Sequence, residues 1–153
     1  MPNTKPIGVA YEDQVISGGS IDNTPIGAST ASTVDGTTIY ASSEIGYAAG
    51  AQGSVTQATS KSTGVTLNKS AGQITMNNAQ LNAGAAVTFT LTNSVISAKD
   101  AIIVNVSGGG TAAAYTTYIS SMTAGSADVT LRNLSAGNLS EAVVINFAVI
   151  HAA

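Results

Sequence analysis

The stretch Val87-Thr88-Phe89-Thr90-Leu91-Thr92 decides how the rest of this chain reads. Apolar side chains alternate strictly with threonines. In an extended backbone successive side chains point to opposite faces, so this segment buries one face and leaves the other in water. It predicts a half-buried β-strand.

Working outward, the same period returns. Ile102, Val104 and Val106 alternate with Ile103, Asn105 and Ser107, and Val129 and Leu131 alternate with Asp128, Thr130 and Arg132. Val65–Leu67, Gln73–Met76 and Tyr115–Ser121 are shorter candidates. Turn-forming clusters separate them: Ser70-Ala71-Gly72, Asn82-Ala83-Gly84, Ala98-Lys99-Asp100, Ser107 to Gly110, Ala124-Gly125 and Ala136 to Asn138. Seven or eight short strands spaced by turns predict an all-β fold, an antiparallel β-sandwich or jelly-roll-like domain over residues 51–153. Helix signals are weak. The best window, 77–86, is interrupted by Asn82 and Gly84, and allows one short helical turn at most.

The final strand has a different character. Val143, Ile145, Phe147 and Val149 occupy one face and Val144, Asn146, Ala148 and Ile150 the other. Apolar residues on both faces predict that both are covered. A central position in the sandwich would do this, and so would a neighbouring subunit against the second face.

Residues 1–50 predict an extended N-terminal arm. Short apolar pieces (Ile7, Val9, Tyr11; Ile21, Ile26) are split by Gly, Pro, Ser and Thr, and Pro6 and Pro25 lack the N–H that a central strand needs. The run Ala48 to Gly53 has the composition of a hinge. The arm is expected to become ordered on another surface by strand addition.

Charge narrows the function classes. The 153 residues carry five Lys and Arg against eight Asp and Glu, so 8% are charged where about 25% is usual. The net charge is −3, and the basic residues stand isolated, which argues against nucleic acid as a partner. The first fifty residues hold five acids and one base, the remainder three acids and four bases. No run approaches the ~18 apolar residues of a membrane-spanning helix. The opening Met-Pro-Asn-Thr-Lys-Pro lacks the basic-then-apolar order of a secretory signal, so synthesis in a cytoplasm is expected. With no cysteine, disulfides, thiolate metal sites and a cysteine nucleophile are excluded together.

Catalytic groups are sparse, and no enzyme activity, metal or cofactor is expected. The one histidine, His151, could enter a triad with a serine and an aspartate, yet no G-x-S-x-G elbow accompanies it. Ser107-Gly108-Gly109-Gly110-Thr111 lacks the lysine and the helix of a phosphate loop, and reads as a connection between strands. Tyr115 and Tyr118, three apart on a strand, point to opposite sides, one inward and one free to stack on a sugar or a neighbour.

Four stretches carry a family resemblance. The opening Thr4-Lys5-Pro6-Ile7-Gly8-Val9-Ala10-Tyr11, followed by Ile21-Asp22-Asn23-Thr24-Pro25-Ile26-Gly27, resembles the N-terminus of virion structural proteins of tailed bacteriophages. Residues 55–69 and 141–150 are similar to a β domain of such proteins. The segment Thr33 to Thr38 departs from the commoner continuation. This resemblance implies a capsid decoration, or cement, protein: a homotrimer on the outer capsid surface that clamps major capsid protein subunits. Ile7, Val9, Tyr11, Ile21 and Ile26 would anchor the arm to that partner. Related N-termini occur on longer fibre-like chains, so a head- or tail-fibre component that binds host glycans is the alternative. The shortness of this chain favours cement.

Overall fold

The computed structural model describes residue 36 and residues 38–152. The chain divides into two units, Met1–Ser42 and Ser43–Ala153. Ile7, Val9, Tyr11, Ile21 and Ile26 lie outside the described residues, as does the whole of 4–11 and 21–27.

The second unit is a β-sandwich. A 3₁₀ turn, Ala49–Ala51, is followed by eight strands: β1 Gln52–Thr56, β2 Val65–Thr66, β3 Ala71–Thr75, β4 Ala86–Thr92, β5 Ala101–Gly108, β6 Tyr115–Thr123, β7 Ser126–Asn133 and β8 Val144–Ile150. Sheet A has the order β1-β3-β8-β5 and sheet B the order β2-β4-β7-β6. From β3 to β6 the chain alternates between sheets. It then turns through the β6–β7 hairpin, and β7 and β8 return beside β4 and β3.

The alternation in β4 is realised side chain by side chain. Phe89 and Leu91 are buried and Val87 packs against them, while Thr88, Thr90 and Thr92 are exposed. Ile74, Val129, Leu131, Val143, Ile145, Phe147 and Val149 complete the core between the sheets. β8 is central in sheet A, between β3 and β5, and its inner face is buried by packing against sheet B. On the outer face Val144, Asn146 and Ala148 are half-buried and Ile150 is exposed, so within the chain only one face is fully covered.

Three features depart from the sequence reading. First, the sandwich is not wholly antiparallel, because β1 pairs with β3 and β2 with β4 in parallel. Second, the run read as a hinge holds the 3₁₀ turn and opens β1. Third, Ala71 and Gly72, read as a turn, are the first residues of β3. A Cβ on Gly72 would lie 2.7 Å from the Gly53 carbonyl oxygen and 2.8 Å from Leu67, so glycine there permits a close approach of strands. The best helical window forms no helix, in keeping with its weak signals. Leu81 is buried and exchanges backbone hydrogen bonds of 2.8 and 3.1 Å with Leu139, and Gly84 turns at φ +69.

Candidate functional site

Three places bring polar or apolar groups together. The first surrounds the histidine. Asp100 is buried, and its carboxylate accepts from the Ser97 hydroxyl at 2.6 Å, the Ser97 N–H at 2.8 Å and the Ala152 N–H at 3.2 Å. His151 Nδ1 lies 2.9 Å from the same carboxylate. Those bonds, the serine's two foremost, hold the Asp100 carboxyl down to about 2.

Serine, aspartate and histidine thus meet, but in the wrong sequence for a triad. There the histidine must stand between the other two and take the serine's proton. Here the aspartate stands in the middle and the serine donates to it. This cluster cannot activate Ser97. It fastens the chain after β8 to the turn before β5.

The second place is the glycine-rich connection between β5 and β6. The Glu141 carboxylate occupies its mouth, accepting from the Thr111 N–H at 3.1 Å, the Thr111 hydroxyl at 2.7 Å and the Tyr115 hydroxyl at 2.8 Å. The two Thr111 bonds, then that of Tyr115, hold the Glu141 carboxyl below its ordinary range. Burial and this carboxylate push the Tyr115 hydroxyl up to about 12. A resident carboxylate where a phosphate would sit opposes phosphate binding. The depression beside the loop, about 360 Å³, is lined by Val106, Gly110, Ala112 and Tyr115 among others and receives no ionisable group except the Tyr115 phenol.

Behind Glu141, the buried Lys61 ammonium donates to the backbone carbonyls of Asn77, at 2.6 Å, and of Glu141. Burial lowers the lysine's pKa, against an opposing pull from the Glu141 charge. Gln57, also buried, donates to the carbonyls of Lys61 and Thr63 and accepts from the Asn77 N–H. Among the described residues no buried side-chain polar atom lacks a partner. The network is saturated, as a structural staple is, with no group left to offer a substrate. No group of three or more His, Cys, Asp or Glu that could hold a metal ion occurs among the described residues.

The third place is the outer face of sheet A. No residue of β1, β3, β5 or β8 is Asp, Glu, Lys, Arg or His, whereas sheet B carries Asp128 and Arg132. Register sets Gln52, Ala71, Ala148 and Ile103 in one row across the sheet, and Ser54, Gln73, Asn146 and Asn105 in another. In the second row Gln73 donates to the Asn146 side chain at 3.1 Å, and Ser107 adds a bond of 3.0 Å. Beyond the first row, Ile150 pairs with Ala101.

Residues 45–47 reach this face: the Tyr47 hydroxyl donates to the Val149 carbonyl, and Gln52 donates to the Tyr47 carbonyl at 2.6 Å. Together Ile45, Gly46, Tyr47, Ile103, Ala148 and Ile150 line an apolar groove of about 470 Å³. Ile103 is 56% exposed and Ile150 52%.

Of the two tyrosines on β6, Tyr115 packs against the core and Tyr118 is exposed, as their spacing predicts. The sequence pointed to Ala148 and Ile150 through the doubly apolar pattern of β8. It gave no sign that Ile45 and Tyr47, a hundred residues away, share their groove.

Among the described residues no helix is long and apolar enough to cross a membrane. No family model matches the chain, and neither a curated protein nor a solved structure matches it.

Proposed function

We propose that this chain is a structural virion protein that decorates and stabilises a bacteriophage capsid. Assembled as a homotrimer on the outer capsid surface, it bridges major capsid protein subunits and performs no catalysis. The observation that carries this reading is the uncharged sheet A with its exposed apolar groove, a surface suited to protein contact. The two-sheet β-sandwich and the phage-like sequence blocks support it. Both polar clusters are saturated, which favours a mechanical role.

Bridging resists the outward pressure of a packaged genome by multivalency. Once one contact forms, the others act at high local concentration. Ile7, Val9, Tyr11, Ile21 and Ile26 anchor the arm in this scheme. Imaging intact particles, with copy number by mass, tests it: hundreds of copies on the shell are expected. A few to a few dozen would instead support a host-binding fibre, the reading favoured by exposed Tyr118. Deleting residues 2–30 should leave the sandwich folded and reduce particle occupancy; full occupancy would remove the arm from the mechanism.

A further inference from the structure

We infer that the outer face of sheet B carries a binding site for a neutral or amine-bearing saccharide, built by Tyr118, Thr88, Thr90 and Asp128. The inference goes beyond the capsid role and does not rest on it.

The hydroxyls of this face fix its polarity. Thr88, Thr130 and Tyr118 stand in one row across β4, β7 and β6, and Thr90, Asp128 and Ser121 in the next. A register shift between Ile119 and Ser121 leaves Ser120 as the extra residue, and its hydroxyl donates to the Asp128 carbonyl at 3.2 Å. A hydroxyl has one proton to give. Ser120 must therefore accept from Thr130, at 2.9 Å, and Thr130 in turn from Thr88, at 2.8 Å. Thr90 commits its own proton to Asp128 Oδ1, at 2.8 Å. Thr88 and Thr90, both exposed, thus turn only lone pairs outward. Asp128 Oδ2 accepts no bond among the described residues. A ligand for this patch must bring donors, and the carboxylate repels one with negative charge.

The aromatic ring chooses among donors. Tyr118 is 47% exposed, whereas Thr130 beside it is only 3% exposed, although both belong to the outer face. The side chains flanking Thr130 close over it and give the patch a floor. Tyr118 and Thr88 stand two strands apart, roughly 10 Å, and the two rows roughly 7 Å. That is room for one pyranose ring laid on the sheet. Its apolar C–H face stacks on Tyr118 while its hydroxyls donate to Thr88, Thr90 and Asp128. A simple ammonium would use the ring and the carboxylate but leave the threonine acceptors idle. Arg132, the other charge of the face, lies two rows from Asp128, and its Nε donates to the Gly84 carbonyl.

The experiment applies the full-length protein to an array of neutral, amine-bearing and acidic oligosaccharides. Retention should be confined to neutral and amine-bearing members. In calorimetry with the best-retained member, Tyr118→Ala and Asp128→Asn should each weaken binding at least about tenfold. Asparagine keeps an acceptor for Thr90 but sets a donor where the sugar's donor points. Tyr118→Phe, which keeps the ring, and Gln73→Ala, on the exposed side of sheet A, should match the wild type. No retention on any member, a preference for acidic members, or undiminished binding by Tyr118→Ala would overturn the inference. The contrast between Tyr118→Phe and Tyr118→Ala decides the matter if Asp128→Asn does not fold. Particle occupancy should be the same for all these variants, so failure here leaves the capsid reading to its own test.

Discussion

Asp100 and His151 lie 2.9 Å apart, and through them the segment after the last strand is fastened to the turn that precedes β5. The carboxylate is the hub, since it also accepts from Ser97 and from the Ala152 N–H. Its pKa is depressed to about 2 from an ordinary 3.8, so the folded state binds this proton less tightly than the unfolded chain does. The resulting stability is complete above about pH 4 and is lost as pH falls toward 2. Asp100→Asn should therefore lower Tm at neutral pH, with the gap to wild type narrowing between pH 4 and pH 2. A gap that stays constant across that range would show that the carboxylate's charge contributes nothing.

Tyr115 has the opposite sign. Its hydroxyl is pushed up to about 12, by burial first and by Glu141 second, so the folded state holds the phenolic proton more tightly. That contribution is whole below pH 10 and disappears as pH rises from 10 to 12. Tyr115→Phe should be less stable than wild type at pH 8 and approach it near pH 12. Thermal melts across the alkaline range measure this directly. A difference that grows with pH contradicts the assigned hydrogen bond.

Lys61 closes the staple behind Glu141. Replacing it with methionine keeps the length of the side chain but leaves the Asn77 and Glu141 carbonyls without their donor. Unpaired buried acceptors cost roughly 1–3 kcal/mol. Lys61→Met should lose about that much in urea unfolding, with an unchanged slope. A variant as stable as wild type would mean that water replaces the ammonium without loss.

What could be read from the sequence follows from where each signal is stored. The alternation of β4 is local, with one side chain per face in turn, and the fold class follows from it. The turn between β6 and β7 was legible too, because Ala124-Gly125 separates two patterned runs, and in the structure Gly125 turns there at φ +82. The polar hubs were not legible. Ser97, Asp100 and His151 join residues half the domain apart, and Glu141 meets Thr111 and Tyr115 only after the chain has returned between sheets. Nor does any spacing bring Tyr47 to Val149, a pairing across 102 residues.

The alternation makes a quantitative claim. Phe89 is buried between the sheets, and Phe89→Ala should cost about 3–5 kcal/mol. Thr88→Ala, one residue away on the exposed face, loses only a 2.8 Å hydroxyl contact with Thr130, roughly 0.5–1.5 kcal/mol. Chemical unfolding of both variants settles the ratio. Similar losses would mean that the face assignment of β4 is wrong.

The parallel pairing of β1 with β3 was hidden by composition, since Ser70-Ala71-Gly72 reads as a turn and Gln52-Gly53 as part of a flexible run. The register sets Gly53 opposite Gly72, and the missing side chains are what allow the two backbones and Leu67 to close together. A Cβ at position 72 would also meet the Phe147 ring at 3.0 Å, so the added methyl has backbone on one side and core on the other. Neither can retreat cheaply. Gly72→Ala should destabilise by roughly 1–3 kcal/mol through overpacking, whereas Gly137→Ala, with nothing within 4 Å of its added carbon, should change little. Hydrogen exchange would locate the damage: faster exchange at the amides of β1 and β3, with β4 and β7 unchanged, is expected. Equal stability of the two variants would show that β1 does not lie against β3 in this register.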